Sequence, residues 1–444
     1  MAIDPKIFKA YDIRGIYPTE VNEDVAYQIG RAFVTFTKAP KVIVGRDGRL
    51  SGPELFTALV RGITDQGADV LDIGLASTDM FYHACGSQNL PGVNVTASHN
   101  PKEYNGFKLV ERMPELVSGE RIRDVVLAGN FSESPRKGTV SALDIKPSFA
   151  AKVLSLIDIT KLKPKKIAVD PANGLGGVAW ELVTKNLPAE TVPLFFEVDG
   201  NFPNHGGDPL KAENRVDLEK EVVTTGADLG FAIDTDGDRL FVIDKNGQYL
   251  PSDFLGALVA QYLIKRHNGG TIVHDAIMGW AARDLVKAAG GTAYASRVGH
   301  VFIKAEMEKQ GAIFGLEKSG HYYLPNFYWA ETAAGMALLV WEMIDASGQT
   351  LDQLAAPLRE KYFMCEQINQ TVADPDGIMA KIKSAYQDKF KIEELDGVSI
   401  VADNWHANIR KSNTEPLLRL NVEAVGDKAL MEEKQNELLK IIRE

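Results

Sequence analysis

The chain has 444 residues, 45% hydrophobic and 25% charged, ordinary proportions for a globular protein. That length exceeds what one hydrophobic core organises, so three or four domains are expected. A net charge of −11 argues against nucleic-acid binding, which rests on basic surface. No apolar run is long enough to span a bilayer, and Met-Ala-Ile-Asp-Pro does not read as a signal peptide. Cys85 and Cys365 stand far apart without metal-ligand spacing, which suits a reducing cytoplasm.

In chain order, Lys41-Val42-Ile43-Val44-Gly45-Arg46-Asp47 is a β-branched run ending at an aspartate. Glu54 to Val60 follows with apolar positions at helical spacing, and Ala68 to Gly74 is a second strand signal. The pattern recurs at Lys166 to Asp170 and at Thr271 to Asp275, each again a short strand ending at an aspartate. Alternating strands and helices imply α/β layers with mixed or parallel sheets, here in three related domains. From about Phe363 the reading changes. Val398 to Ala402 and Leu417 to Val422 are strands, and a helix rich in Glu, Lys and Leu closes the chain, a smaller α+β domain. The expected domains are residues 1–145, 146–247, 248–362 and 363–444.

Two segments carry chemistry. Thr96-Ala97-Ser98-His99-Asn100-Pro101 follows the β-type run Val93-Asn94-Val95, and Asn-Pro forces a turn that lifts the Ser98 hydroxyl onto an exposed loop beside an imidazole. A serine needs a base, a metal or a prior modification to act as a nucleophile, and by itself this hexapeptide reads first as a polar turn between two elements. Asp234-Thr235-Asp236-Gly237-Asp238-Arg239 joins two apolar runs through a tight acidic turn. Three carboxylates at alternate positions call for a cation, and hard divalent ions such as Mg²⁺ take oxygen ligands. The competing reading is a hairpin turn, which also favours Asp and Gly. A calcium-binding EF-hand would need flanking helices, whereas these flanks are β-like.

Together these motifs resemble the α-D-phosphohexomutase superfamily, its phosphomannomutase/phosphoglucomutase branch in particular. The likeness runs along the whole chain. Phe8 to Gly15 matches the opening signature, Val44 to Arg49 the next motif, and the serine and acidic loops follow in order. Gly315-Leu316-Glu317-Lys318-Ser319-Gly320-His321 resembles the sugar-selecting loop, and Arg410 to Pro416 the phosphate-binding loop. The resemblance implies four domains around a central cleft. It implies that hexose 1-phosphate and 6-phosphate (mannose and/or glucose) are interconverted through a phosphoserine at Ser98 and a hexose 1,6-bisphosphate, glucose 1,6-bisphosphate being the activator. Mg²⁺ would be held by Ser98, Asp234, Asp236 and Asp238.

The same likeness assigns roles elsewhere. Arg14 and Arg239 would neutralise phosphoryl oxygens, where charge-assisted hydrogen bonds are strongest. Lys108, His99 and His321 are rival bases, Lys108 ranked first, although a lysine serves only if its pKa is lowered. Tyr11 and His300 would contact substrate, and Glu317 and Ser319 would bind the O3 and O4 hydroxyls that glucose and mannose share. Arg410, Ser412, Asn413 and Thr414 would hold the distal phosphate, as hydroxyls and turn N–H groups suit a dianion. The expected protein is a cytoplasmic monomer or dimer that meets phosphosugars and neither nucleic acid nor membrane.

Several positions depart from the family pattern. Lys318 stands where Met or Gln is usual, Ala330-Glu331-Thr332 where many relatives have Asp-Asp-Gly, and Ala76-Ser77-Thr78-Asp79-Met80 replaces a Pro-Thr-Pro. A phosphate-binding lysine expected near Ile277 is missing. His300 matches the phosphomannomutase/phosphoglucomutase type, phosphoglucosamine mutases usually having Asp there. The alternatives are a phosphoglucosamine mutase, a phosphatase acting through the same serine, or, in a different class, a non-catalytic sugar-phosphate binding protein of mutase ancestry.

Overall fold

A computed structural model describes residues 3–131, 134–412 and 417–444. By its internal contacts the chain forms two compact units, Met1–Leu250 with Ser319–Gly348, and Pro251–Lys318 with Gln349–Glu444.

The first unit holds two mixed sheets built on one plan. In the first, Lys41–Arg46 lies parallel to Asp69–Leu75 on one side and to Gly92–Val95 on the other, and Tyr104–Arg112 pairs antiparallel with Gly92–Val95. In the second, Lys165–Asp170 lies parallel to Ala189–Pro193 and to Leu229–Ile233, and Leu240–Asp244 pairs antiparallel with Leu229–Ile233. The second unit repeats the parallel part, with Thr271–Asp275 between Thr292–Ser296 and Phe314–Leu316. The three strands that lead into aspartates thus take the same central place in three equivalent repeats, each between two parallel neighbours. At each, the aspartate Oδ1 accepts the N–H two residues on: Asp47 from Arg49 at 3.0 Å, Asp170 from Ala172 at 2.9 Å and Asp275 from Ile277 at 3.1 Å. This side-chain turn stops the strand and turns the chain toward its helix.

Central strands of these sheets are buried on both faces, so they read as continuous apolar runs rather than alternating ones. Helix Glu23–Thr37 starts at Asn22, whose Oδ1 accepts the Val25 N–H at 3.1 Å, and buries Val25, Ala26, Ile29, Ala32 and Phe33 at helical spacing. It lies against helix Gly52–Asp65 with almost no gap. A Cβ on Gly30 would stand 2.4 Å from the Leu59 carbonyl oxygen, and one on Gly62 2.1 Å from that of Tyr27. Only glycine permits that approach.

In the second unit an antiparallel sheet, with Leu417–Val425 between Trp405–Lys411 and Tyr362–Met364, is covered by helices Pro375–Tyr386 and Lys428–Arg443. This is the α+β segment expected at the C-terminus. No helix among the described residues is long and apolar enough to cross a membrane.

Candidate active site

In each repeat the link between the third and fourth strands carries the residues singled out in the sequence: Ser98 in the first, Asp234 to Arg239 in the second, Glu317 to His321 in the third. The three loops therefore occupy equivalent places in the chain order.

Although the loop beyond it is exposed from Pro101 to Glu103, Ser98 is 3% exposed, so the expectation of an exposed hydroxyl is corrected. The reason is Arg49, a residue the sequence reading quoted but gave no role. Its guanidinium Nη2 donates to the carbonyls of Ser98 and Asn100 at 2.6 Å, and Nη1 to those of Pro101 and Tyr104 at 2.8 Å. Thr235 Oγ1 adds a bond to the same Ser98 carbonyl at 2.8 Å. Ser98 is held at a φ of +51°, an uncommon conformation for a residue with a side chain. Its Oγ donates to Asp236 Oδ1 at 2.7 Å and lies 3.1 Å from His99 Nδ1.

Among the described residues Asp234, Asp236 and Asp238 form the one group suited to a metal, with one oxygen from each within 4.8 Å of the others. All are buried, and Asp238 Oδ1 has no hydrogen-bond partner. Asp234 Oδ1 accepts the N–H groups of Asp238 and Arg239, each at 3.1 Å, and its Oδ2 accepts from Arg239 Nε at 2.8 Å. Burial and the neighbouring Asp238 and Asp236 push the Asp234 carboxyl well above its ordinary range. Burial also opposes the Asp236 carboxylate, but Lys108, Thr78 and Ser98 outweigh it and hold that carboxyl well below the usual range. An all-oxygen, buried set of carboxyl groups with one orphaned oxygen fits a hard cation such as Mg²⁺.

Lys108 Nζ sits between Asp236 Oδ2 at 2.7 Å and Asp238 Oδ2 at 2.5 Å. Burial acts against its charge, yet the two carboxylates raise its pKa well above the usual value, so in this arrangement it is an ammonium and a proton donor. His99 is the reverse case. Burial and the charges of Arg239 and Arg14 push its pKa well down, leaving a neutral imidazole. His321 Nδ1 meets Ser319 Oγ at 2.8 Å, and its Nε2 lies 3.6 Å from Asp238 Oδ1. Arg239 is tied to Asp208 at 3.1 Å as well as to Asp234, with Nη2 buried and unpartnered. Arg14 is fixed by Asp12 and by Asn100 Oδ1, both at 2.6 Å.

The first unit therefore gathers Ser98, His99, Lys108, Arg14, the three aspartates, Arg239, Ser319 and His321. Tyr11 lies beside them in sequence, in the bend between Phe8 and Ile13. Glu317, His300, Arg410 and Ser412 belong to the second unit. There Glu317 Oε1 accepts the Gly299 N–H at 2.7 Å, and His300 opens the helix His300–Gln310. Arg410 is buried with Nε unpartnered, and Ser412 Oγ accepts from Arg419 at 3.3 Å. Lys318 lies 3.5 Å from Asp253 Oδ2. Asn413 and Thr414 lie outside the described residues.

Four models of the phosphoglucomutase/phosphomannomutase family match in order: α/β/α domain I at residues 5–126, domain II at 147–247, domain III at 251–362 and the C-terminal domain at 368–441. The chain belongs to the phosphoglucomutase/phosphomannomutase family. It is 38% identical over 442 residues to the phosphohexose mutases of Xanthomonas campestris pv. campestris (strain B100), covering 98% of this chain and 99% of that one. It is 36% identical over 448 residues to a phosphomannomutase of Salmonella montevideo, covering 98% of each. A crystal structure of a phosphoglucomutase/phosphomannomutase family protein from Burkholderia thailandensis aligns at a TM-score of 0.90 and 29% identity, over 100% of this chain and 98% of that one. As a member of this family the chain is a phosphohexomutase, a sugar-phosphate enzyme of four α/β and α+β domains.

Proposed function

We propose that this phosphohexomutase interconverts the 1- and 6-phosphates of mannose and/or glucose through a phosphoserine at Ser98 and a hexose 1,6-bisphosphate intermediate. The observation that carries this is the hydrogen bond from the buried Ser98 Oγ to Asp236, against three carboxylates suited to a metal. In the first half-reaction the bond between phosphorus and Ser98 Oγ breaks while a sugar hydroxyl bonds to phosphorus. The hydroxyl's proton passes to a base and Ser98 regains one. The bisphosphate turns round, and its other phosphoryl group returns to Ser98.

Each residue has a task in that cycle. His321, or alternatively Lys108 after losing its proton, takes the proton from the sugar. His99, neutral and beside Ser98 Oγ, exchanges the serine proton. Arg14 and Arg239 Nη2 balance the phosphoryl charge, with Asp208 and Asp12 fixing their direction. Asp234, Asp236, Asp238 and Ser98 would hold Mg²⁺, which when bound supplies Lewis-acid neutralisation of phosphoryl oxygens. Glu317 and Ser319 bind the ring hydroxyls, Tyr11 and His300 contact the sugar phosphate, and Arg410, Ser412, Asn413 and Thr414 hold the distal phosphate. The four domains are taken to divide near residues 145, 247 and 362.

The sugar is tested by giving purified enzyme mannose, glucose and glucosamine 1-phosphates separately, with a trace of glucose 1,6-bisphosphate, and following phosphorus NMR. Formation of mannose or glucose 6-phosphate is expected. Turnover of glucosamine 1-phosphate alone would overturn the assignment.

A further inference from the structure

Two of the stretches that depart from the family pattern, Ser77-Thr78-Asp79 and Ala330-Glu331-Thr332, meet in space. Thr332 Oγ1 donates to Asp79 Oδ2 at 2.9 Å, across 253 residues of sequence. Asp79 is fully buried, and its other oxygen accepts from Ser77 Oγ and, at 2.8 Å, from the Met80 N–H. Both residues sit at the starts of helices. Asp79 lies in the first turn of Thr78–Gln88, and Thr332 caps Ala333–Ser347 by accepting the Gly335 N–H at 3.1 Å.

The two helix starts grip the acidic loop. Thr78 N–H donates to the Asp236 carbonyl at 2.7 Å, and Thr78 Oγ1 to Asp236 Oδ2 at 2.6 Å. From the other helix the Ala333 N–H reaches the Gly237 carbonyl at 3.4 Å. Gly237 is at φ +79°, and a Cβ there would stand 3.0 Å from Ser77 Cβ, so the loop has little room to shift. The Asp79–Thr332 bond ties these two grips together. No lysine or arginine pairs with Asp79 among the described contacts; burial pushes its carboxyl up to about 7 against its hydrogen bonds.

We infer that Asp79 and Thr332 are positioning residues that fix the Asp236–Gly237 backbone, and through it the orientation of the metal-binding carboxylates. Partners one step removed from ligands change metal affinity by about tenfold to a hundredfold. This rests on the proposal that Asp234, Asp236 and Asp238 hold a divalent cation.

The test is binding of Mn²⁺ to the full-length protein, followed by electron paramagnetic resonance, with thermal melting of each variant. Asp79→Ala removes the acceptor and leaves the Thr332 helix cap in place, so it decides the matter. Thr332→Val removes the donor, and Thr332→Ser keeps it. The expected result is Mn²⁺ affinity weakened about tenfold or more in Asp79→Ala and Thr332→Val, recovery in Thr332→Ser, and a double variant no weaker than the worse single one. Affinity unchanged in Asp79→Ala while Asp236→Asn binds weakly would overturn the inference and leave the metal site standing. Losses that simply follow the melting temperature, or that Thr332→Ser does not recover, would also overturn it. If Asp236→Asn bound Mn²⁺ as tightly as the unaltered protein, the metal assignment itself would fail, and the inference with it.

Discussion

Arg49 Nη2 donates to the carbonyl oxygen of Ser98 at 2.6 Å. With its three other carbonyl bonds and the Asp47 carboxylate 3.3 Å from Nε, one buried side chain closes the whole serine loop. Arg49→Met removes four hydrogen bonds to the loop carbonyls and leaves the buried Asp47 carboxylate without its charge partner, a loss that for a buried ion pair costs on the order of 3–5 kcal/mol. Urea unfolding checks that figure. Arg49→Lys is expected to recover only part, because an ammonium cannot span four acceptors in a plane.

Lys108 neutralises two carboxylates that a divalent cation would also neutralise. Removing it should therefore hurt most when no metal is present. Lys108→Met is expected to lower the melting temperature in chelator by several degrees, roughly 1–3 kcal/mol, and by distinctly less in saturating Mg²⁺. Equal losses in both conditions would mean that lysine and metal do not share these oxygens.

His83 gives a pH prediction away from the acidic loop. Its Nε2 meets Ser148 Oγ at 2.9 Å and its Nδ1 the Tyr328 hydroxyl at 3.3 Å, and burial, with Lys152 nearby, lowers its pKa from 6.5 to about 4. The unfolded chain binds a proton there at higher pH than the folded one. Stability is thus unaffected by His83 above about 6.5, falls as pH drops toward about 4, and is fully reduced below that. His83→Gln should flatten this part of the stability–pH curve, measured by denaturant midpoints between those values.

Much of this site could be read from the chain because its chemistry is local. A strand ending at Asp47, Asp170 or Asp275 announces the turn that follows, and alternate carboxylates at Asp234, Asp236 and Asp238 announce a cluster that could hold a cation. What could not be read depends on partners far apart. Nothing near Ser98 says that its carbonyl is capped by Arg49, 49 residues earlier, and by Thr235, 137 residues later, so the loop read as exposed. Nor does Asn105-Gly106-Phe107-Lys108 reveal that the lysine is clasped by two aspartates 128 and 130 residues away. A lone lysine invites the role of base, and two carboxylates hold its proton in place. Asp79 and Thr332 each lie in a stretch that departs from the family pattern, and only their mutual bond makes them a pair.

The central claim is that Ser98 carries the phosphoryl group. Intact-mass measurement of the purified protein, before and after incubation with glucose 1,6-bisphosphate, tests it most directly. The account predicts a species heavier by one phosphoryl group in the unaltered protein, and its loss together with mutase turnover in Ser98→Ala. A Ser98→Ala protein that still interconverted hexose 1- and 6-phosphates at the unaltered rate, or still gained that mass, would contradict it.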